Sequence, residues 1–266
     1  MKTYIVDAFT SEPFKGNPAA VCMLDHRIAE HTMQSIAQEL NLSETTFVQK
    51  TSDGQYSIRY FSPKTEVPLC GHATLAAAKV IFQDTTIQQI LFKTNHGLDL
   101  KITQKSPYIQ MQFPAYELAP MTAPTALLDA LGIAEVLYSG YNKETNILMI
   151  EVANTGQLAA LTPDFKALVK SHASLFAVSV TALTQEDGYD FHSRLFWPWS
   201  GSDEDPVTGG THTFLTPYWS KKLNKKKMKS FQSSARSGSM ELDLIDDHTV
   251  IITSQAVIVF EGKLTI

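Results

Sequence analysis

Residues 203–212 have the sequence Asp203-Glu204-Asp205-Pro206-Val207-Thr208-Gly209-Gly210-Thr211-His212, and this segment decides the fold. It places carboxylates, a glycine pair and the start of an apolar helix close together. Residues 66–74 repeat the same order of residue types, as Glu66-Val67-Pro68-Leu69-Cys70-Gly71-His72-Ala73-Thr74. Each segment predicts an extended strand, a glycine turn and then a helix. Two such segments indicate two similar halves with a site built between them.

The helices that follow the two glycine turns lack a broad polar face. Residues 75–82 contain one lysine among seven apolar residues, so the first helix must be buried nearly all round. Residues 213–219 have a similar composition. Pro217 lies inside this second predicted helix, and we expect it to kink or shorten the helix.

Composition narrows the class of protein. The 266 residues are 44% hydrophobic and 18% charged, which permits one large domain or two modest ones. A formal net charge of −5 gives no reason to expect nucleic acid or an anionic membrane as partner, so we expect a small molecule. No apolar run approaches the length of a membrane helix, and we expect a cytoplasmic protein. Cys22 and Cys70 are too few for a disulfide framework or a thiolate zinc site, and both are expected to be reduced core residues.

The remaining pattern is rich in strands. Besides the helix after residue 71, helices are predicted at 28–42, 125–131 and 211–223. Strands are predicted at 1–9, 19–23, 44–49, 55–61, 89–94, 98–102, 109–113, 146–152, 175–180, 190–196, 229–234, 240–244, 249–254 and 257–260. Because helices and strands do not alternate regularly, we do not expect a doubly wound parallel sheet.

The expected fold class is therefore α+β. Two pseudo-symmetric halves would each curl a mixed or antiparallel sheet, in a barrel-like way, around a central buried helix. Three prolines at 114–124 interrupt the periodicity and place the boundary there. The predicted halves are 1–116 and 117–266, and the last strand could pack with the first half.

Gly71, Gly209 and Gly210 predict a carboxylate-binding site. A helix N-terminus exposes backbone N–H groups and the positive end of the helix dipole, and glycine lets a ligand approach that backbone closely. The alternative is that these glycines only permit tight turns. The duplication of the segment favours the functional interpretation.

Four motifs in the same order give nearly the whole chain a resemblance to the phenazine-biosynthesis PhzF-like isomerases. They are residues 6–10 with 16–21, 42–48, 59–78 and 204–212. The resemblance implies the diaminopimelate epimerase-like fold and an active site between two halves, which agrees with the pattern above. A homodimer is common among similar proteins.

Glu44 is the predicted catalytic residue. It lies where an amphipathic helix gives way to an apolar strand, and desolvation there would raise its pKa towards the range useful for proton transfer. Position alone favours a helix-capping or surface glutamate. The resemblance reverses this preference, because it implies that the matching glutamate takes a proton from one carbon and returns it to another on the same face.

The resemblance also implies a polar site that includes His72, Asp205 and the residue five positions after Asp205. That residue is Gly210, where the common pattern has serine, so one hydroxyl is missing. Water or the neighbouring hydroxyls of Thr208 and Thr211 could replace it, or this member handles a different substrate. Without the resemblance, His72 is more simply a helix N-terminal histidine and Asp205 a turn residue.

Other chemistries are less well supported by the sequence. Two-thiol racemases of the wider fold need a cysteine on each face of the substrate carbon, and Thr208 stands where the second thiol is expected. The histidines show no metal-ligand spacing, and nucleotide-binding glycine motifs are missing, so we expect neither a metal nor a cofactor. Six lysines at 221–229 are interpreted as a solvated loop and not as a nucleic-acid site.

The sequence therefore predicts a cofactor-independent isomerase of a small carboxylated metabolite. Glu44 would be the general acid and base, with Asp205 and His72 orienting the substrate and assisting proton movement. The glycine turns, Thr208 and Asn17 would contact the substrate. The alternatives are a non-catalytic ligand-binding or interaction protein that retains the fold, and an epimerase or racemase of an amino-acid-like substrate.

Overall fold

The computed structural model describes residues 1–184, 188–200 and 202–265. The helices in these residues are α1 (Glu30–Leu40), α2 (Gly71–Gln83), α3 (Thr125–Leu131), α4 (Thr155–Ala160), α5 (Phe165–Ser171) and α6 (His212–Leu223). The first nine strands are β1 (Lys2–Ala8), β2 (Asn17–Leu24), β3 (Glu44–Ser52), β4 (Gln55–Phe61), β5 (Glu66–Val67), β6 (Gln89–Thr94), β7 (Asp99–Lys105), β8 (Tyr108–Pro114) and β9 (Ala119–Pro120). The others are β10 (Tyr138–Asn142), β11 (Ile147–Glu151), β12 (Ala177–Leu183), β13 (Phe191–Trp197), β14 (Ser202–Asp205), β15 (Lys227–Gln232), β16 (Gly238–Asp246), β17 (Thr249–Ser254) and β18 (Ala256–Lys263).

The chain forms two compact units. The first consists of Met1–Gln112 with Ile251–Ile266, and the second of Phe113–Val250. The polypeptide therefore passes from the first unit to the second and back. The end of the chain, including β18, belongs to the first unit.

The first unit curls a mixed sheet around α2. Its strand order is β18, β1, β2, β3, β4, β6, β7 and β8, with parallel pairing between β2 and β3 and between β4 and β6. Helix α2 contacts β1, β2, β3 and β18, and ten of its thirteen residues are buried. The predicted central helix is thus present in this unit. The amphipathic helix α1 buries Met33, Ile36 and Ala37 against Phe47 and Phe61 of the sheet.

The second unit repeats these pairings. Strands β10, β11, β12 and β13 pair as β1, β2, β3 and β4 do, with β11 and β12 parallel. Strand β15 then pairs in parallel with β13, as β6 does with β4, and β14 pairs with β13 as β5 does with β4. Helix α6 follows β14 as α2 follows β5. The predicted α+β class with two pseudo-symmetric halves is confirmed.

Helix α6 continues through Pro217, so the expectation of a shortened helix is wrong. A proline leaves the carbonyl four residues earlier without its usual helical donor. Here that carbonyl belongs to Thr213, and it accepts the backbone N–H of Tyr116 at 2.8 Å. The helix can therefore keep a proline because another segment of the same unit supplies the missing hydrogen bond.

The six lysines at 221–229 are all exposed to solvent, as expected, but four of them lie on α6 or β15 and not in a loop. Lys221 and Lys222 form the last turn of α6, and the Lys222 ammonium lies 2.5 Å from both carboxylate oxygens of buried Glu151. Lys225 pairs with Asp190 at 2.6 Å. Lys227 pairs with Asp243 at 3.3 Å and Lys229 with Glu241 at 3.2 Å, so four of the six positive charges are balanced within the unit. Among the described residues, no helix is long and apolar enough to cross a membrane.

Candidate active site

Glu44 is the first residue of β3 and lies in the interior of the first unit. Helix α1 ends at Leu40, followed by Asn41 in the left-handed conformation, so Glu44 lies beyond the helix cap. Parallel pairing of β2 and β3 sets Glu44 opposite Ala19. Only 6% of Glu44 is exposed, so it is neither a capping nor a surface glutamate.

His72 lies in the first turn of α2 and contacts this carboxylate. Its Nε2 is 3.1 Å from Glu44 Oε2. Among the described residues, Glu44 Oε2 has no hydrogen-bond partner. We therefore treat the contact as an ion pair that leaves this buried oxygen free to accept.

Asn17, Ser43 and Cys70 surround the His72 ring. Asn17 Nδ2 and Cys70 Sγ each lie 3.3 Å from Nδ1. Ser43 Oγ lies 3.3 Å from Nε2 and also donates to Asn17 Oδ1 at 3.4 Å. The structure thus brings the predicted residues Glu44, His72 and Asn17 together. Sequence reasoning missed Ser43, although it directly precedes Glu44 in one of the quoted motifs.

The Glu44 and His72 charges stabilise each other. Burial is the largest single effect and disfavours the Glu44 carboxylate, but the charge of His72 and hydrogen bonding from His72, Ser43 and Cys70 together hold the pKa of Glu44 below its usual range. Burial also disfavours a charged His72, yet the Cys70 sulfur and the Glu44 carboxylate hold the pKa of His72 well above its usual value. The predicted rise in the Glu44 pKa is therefore wrong in sign, because a charged neighbour and hydrogen bonding together outweigh desolvation.

A second polar cluster surrounds Asp205 in the second unit. Asp205 ends β14 opposite Leu195, is buried, and accepts a hydrogen bond from the Thr208 hydroxyl. The Gln232 amide holds both residues, since its Nε2 donates to the Asp205 carbonyl at 2.7 Å and its Oε1 accepts the Thr208 N–H at 2.9 Å. Sequence reasoning missed Gln232, which lies on β15 and is near Asp205 only in the folded unit.

His212 supports the glycine turn before α6. Its Nδ1 lies 3.0 Å from the Thr208 carbonyl and its Nε2 lies 2.8 Å from Ser230 Oγ. Burial lowers the pKa of His212 to about 4, so the ring is neutral at physiological pH. A neutral ring can donate to the carbonyl through one nitrogen and accept from the hydroxyl through the other.

The starts of α2 and α6 have no side-chain cap, whereas Asn154 and Asp164 cap α4 and α5. Among the described residues, the N–H groups of Gly209 and Gly210 have no acceptor. The glycines with positive φ lie elsewhere in the described chain, so the turn conformation does not itself require glycine at Gly71, Gly209 or Gly210. These helix starts keep N–H groups available for an anion.

The hydroxyl missing at Gly210 is not replaced by its neighbours. No heavy atom lies within 4 Å of the position that a Cβ would take at Gly210. The Thr208 hydroxyl donates to Asp205, and the Thr211 hydroxyl donates to the Thr208 carbonyl at 2.9 Å. Both hydroxyls therefore donate within the unit, and their substitution for the serine stays a prediction.

Comparison with known proteins identifies the family of this chain. Residues 6–262 match the model of the family described as phenazine biosynthesis-like protein. The chain belongs to the phenazine biosynthesis-like family. An uncharacterized isomerase from Halalkalibacterium halodurans is 41% identical over 265 residues, covering 98% of this chain and 97% of that protein.

Solved structures agree with membership of the phenazine biosynthesis-like family. A PhzF-family phenazine biosynthesis protein from Enterococcus faecalis has a TM-score of 0.92 at 36% identity, covering 100% of this chain and 99% of that one. A predicted epimerase from Pseudomonas aeruginosa has a TM-score of 0.77 at 17% identity, covering 99% and 98%, and shows the shared fold alone. The family and the relative from Halalkalibacterium halodurans support an isomerase-type enzyme.

Proposed function

We propose that this protein is a cofactor-independent isomerase in which Glu44 moves a proton between two carbons of a small carboxylated metabolite. The observation that carries the proposal is Glu44 Oε2. This oxygen is buried, lies 3.1 Å from His72 Nε2 and has no hydrogen-bond partner among the described residues. A buried carboxylate that a neighbouring histidine keeps ionised, with an oxygen that no hydrogen bond occupies, is typical of a proton-transfer site.

The chemistry follows from this oxygen. Glu44 takes a proton from a carbon that the substrate's own electron-withdrawing groups acidify, and the electron pair of the broken C–H bond shifts a double bond. The protonated Glu44 then returns the proton to a second carbon on the same face. The charge on His72 keeps Glu44 ionised between turnovers. The enzyme therefore ends in the state in which it began.

Backbone N–H groups and a second polar cluster would orient the substrate. We assign the uncapped start of α2 at Gly71, and the N–H groups of Gly209 and Gly210, to binding of a carboxylate. Asp205 and Thr208 would contact polar groups of the substrate, as would Asn17. For Asp205, Thr208 and Asn17, the assignment predicts a weaker Michaelis complex when the side chain is removed.

The test uses solvent deuterium. Protein in D2O is incubated with a panel of amino-acid-like and cyclohexadiene carboxylates, and mass spectrometry follows deuterium incorporation. Glu44→Gln should lose at least about 100-fold of the exchange rate while circular dichroism stays native. Glu39→Gln is the matched control, because Glu39 is exposed on α1 and should leave exchange unchanged. Undiminished exchange in folded Glu44→Gln would reject Glu44 as the acid and base.

A non-catalytic ligand-binding protein is the second candidate, and the open space at Gly210 favours it. Ligands from the same panel that raise the melting temperature without exchange or turnover would support that candidate. A racemase is the third. Product stereochemistry separates it from the proposed shift, because racemisation inverts one centre whereas the shift moves a double bond.

A further inference from the structure

Three side chains with different metal-binding atoms converge in the first unit. Ligand atoms of Glu44, Cys70 and His72 all lie within 4.8 Å of one another, and all three residues are buried. Residue spacing does not reveal this group, because a hairpin and the entry to α2 separate Glu44 from the other two residues. We propose that these three side chains bind a divalent ion of the zinc class, which reversibly blocks the site.

The distances suit a tetrahedral ion. Zinc bonds of about 2.0 to 2.3 Å at tetrahedral angles place ligand atoms roughly 3.3 to 3.6 Å apart. Glu44 Oε2 and Cys70 Sγ lie 3.1 and 3.8 Å from His72 Nε2. Cys70 Sγ lies nearer to His72 Nδ1, at 3.3 Å, so the Cys70 side chain must rotate towards Nε2 to join the other two ligands. The fourth position would be taken by water.

The donor set selects the kind of metal. A thiolate, an imidazole and a carboxylate together favour Zn²⁺ and Co²⁺ over Mg²⁺ or Ca²⁺, which prefer oxygen alone. On binding, the Cys70 thiol proton and any proton on His72 Nε2 leave to solvent, and no electron is transferred. Binding is therefore reversible by a chelator.

Two further observations support the site. Glu44 Oε2 is buried and lacks a hydrogen-bond partner among the described residues, so a cation would satisfy it. Asn17 contacts His72 Nδ1 and so helps to fix the ring, whereas the ion would displace Ser43 from Nε2. Glu44 and His72 are thus in contact before any ion arrives, and Cys70 is the ligand that must move.

The inhibitory consequence rests on the proposed function, since the ion would occupy the carboxylate that moves the proton. Loss of turnover should follow occupancy of the site and be competitive with substrate. Metal binding itself does not depend on that function. A spectroscopic test therefore separates failure of the metal site from failure of the proposed reaction.

The experiment titrates the reduced, tag-free protein with Co²⁺. We expect one equivalent to produce tetrahedral d–d bands and a thiolate-to-cobalt charge-transfer band, both abolished when Zn²⁺ is added. Cys70→Ser and Cys70→Ala should lose the charge-transfer band and bind at least about tenfold more weakly. Cys22→Ala is the matched control, because Cys22 is the other buried cysteine and contacts Thr3 instead. Glu44→Gln should also weaken binding while retaining the thiolate band.

Circular dichroism and thermal unfolding establish that each variant is folded. No cobalt spectrum at excess Co²⁺ would overturn the proposal, as would a charge-transfer band that survives in either folded Cys70 variant. If the band behaves as expected but Zn²⁺ leaves deuterium exchange unchanged, the metal site stands and the assignment of Glu44 in the proposed reaction fails.

Discussion

The Glu44 carboxylate lies 3.1 Å from the His72 imidazole, with 8% of each side chain exposed. Because the pKa of Glu44 is lower in the folded than in the unfolded protein, the carboxylate stabilises the fold at pH values above its unfolded-state pKa of about 4.3. This contribution is lost as the pH falls through the folded-state pKa. Because the pKa of His72 is higher in the folded than in the unfolded protein, the charged imidazole stabilises the fold at pH values below its unfolded-state pKa of about 6.5. This contribution is lost as the pH rises through the folded-state pKa.

Both contributions are complete between about pH 4.5 and 6.5. We therefore expect the stability difference between wild type and the Glu44→Gln/His72→Gln double variant to be largest there and to shrink on either side. Urea unfolding across the pH range measures it. A difference that does not change with pH would show that the two charges are not coupled in the folded protein.

Gly210→Ser should be accepted without loss of stability. The added Cβ meets no heavy atom within 4 Å, so the free energy of unfolding should stay within about 0.5 kcal/mol of wild type. Gly140→Ser is the contrasting control, because its Cβ would lie 2.8 Å from the Tyr138 hydroxyl. Urea unfolding measures stability, and the exchange assay shows whether the new hydroxyl increases turnover on any substrate. A large loss of stability for Gly210→Ser would mean that the space is filled in solution.

Lys222→Met should destabilise the protein far more than Lys221→Met. Lys222 balances Glu151, which is 1% exposed, and removing it leaves a buried carboxylate whose only close donor in the described part of the chain is the Tyr218 hydroxyl. We expect a loss of about 2 to 3 kcal/mol. Lys221 is exposed without a carboxylate partner among the described residues and should change stability by less than about 0.5 kcal/mol. Equal effects in thermal unfolding would contradict the ion pair.

Gln232→Leu should loosen the Asp205 cluster. The change removes the donor to the Asp205 carbonyl and the acceptor of the Thr208 N–H, at a cost of about 1 to 3 kcal/mol. Gln110→Leu is the control, since Gln110 makes one partly buried hydrogen bond, to Thr253 at 3.2 Å. Guanidinium unfolding compares the free energies of unfolding of the two variants. An equal loss of stability in both would show that the Gln232 amide does not hold Asp205 and Thr208 together.

Residue patterns predicted most of the architecture, but short or irregular elements escaped. Strand β10 contains Gly140 and no clear alternation, so nothing marked it as a strand. Helices α4 and α5 are only six and seven residues long, too short for a helical period, although their caps Asn154 and Asp164 were visible signals. Sequence patterns reflect the local conformational preferences of residues, whereas these short elements are stabilised by contacts with neighbouring segments of the fold.

The candidate site was predictable only in part. Glu44, His72 and Asp205 could be selected as residues, but the sign of the Glu44 pKa shift could not. That sign depends on His72 approaching from a separate helix, which is a tertiary contact. Gln232 was missed for the same reason, because β15 meets β14 residues only after the second unit has folded.

The pairing of β1 between β2 and β18 has a consequence for synthesis on the ribosome. Residues of the second unit are continuous and emerge complete, whereas the first unit must wait for its final segment. Until then, one edge of β1 has exposed N–H and C=O groups that other nascent chains could pair with. The unit that is translated first is thus the last that can be completed, and chaperones have most reason to protect its N-terminal strand.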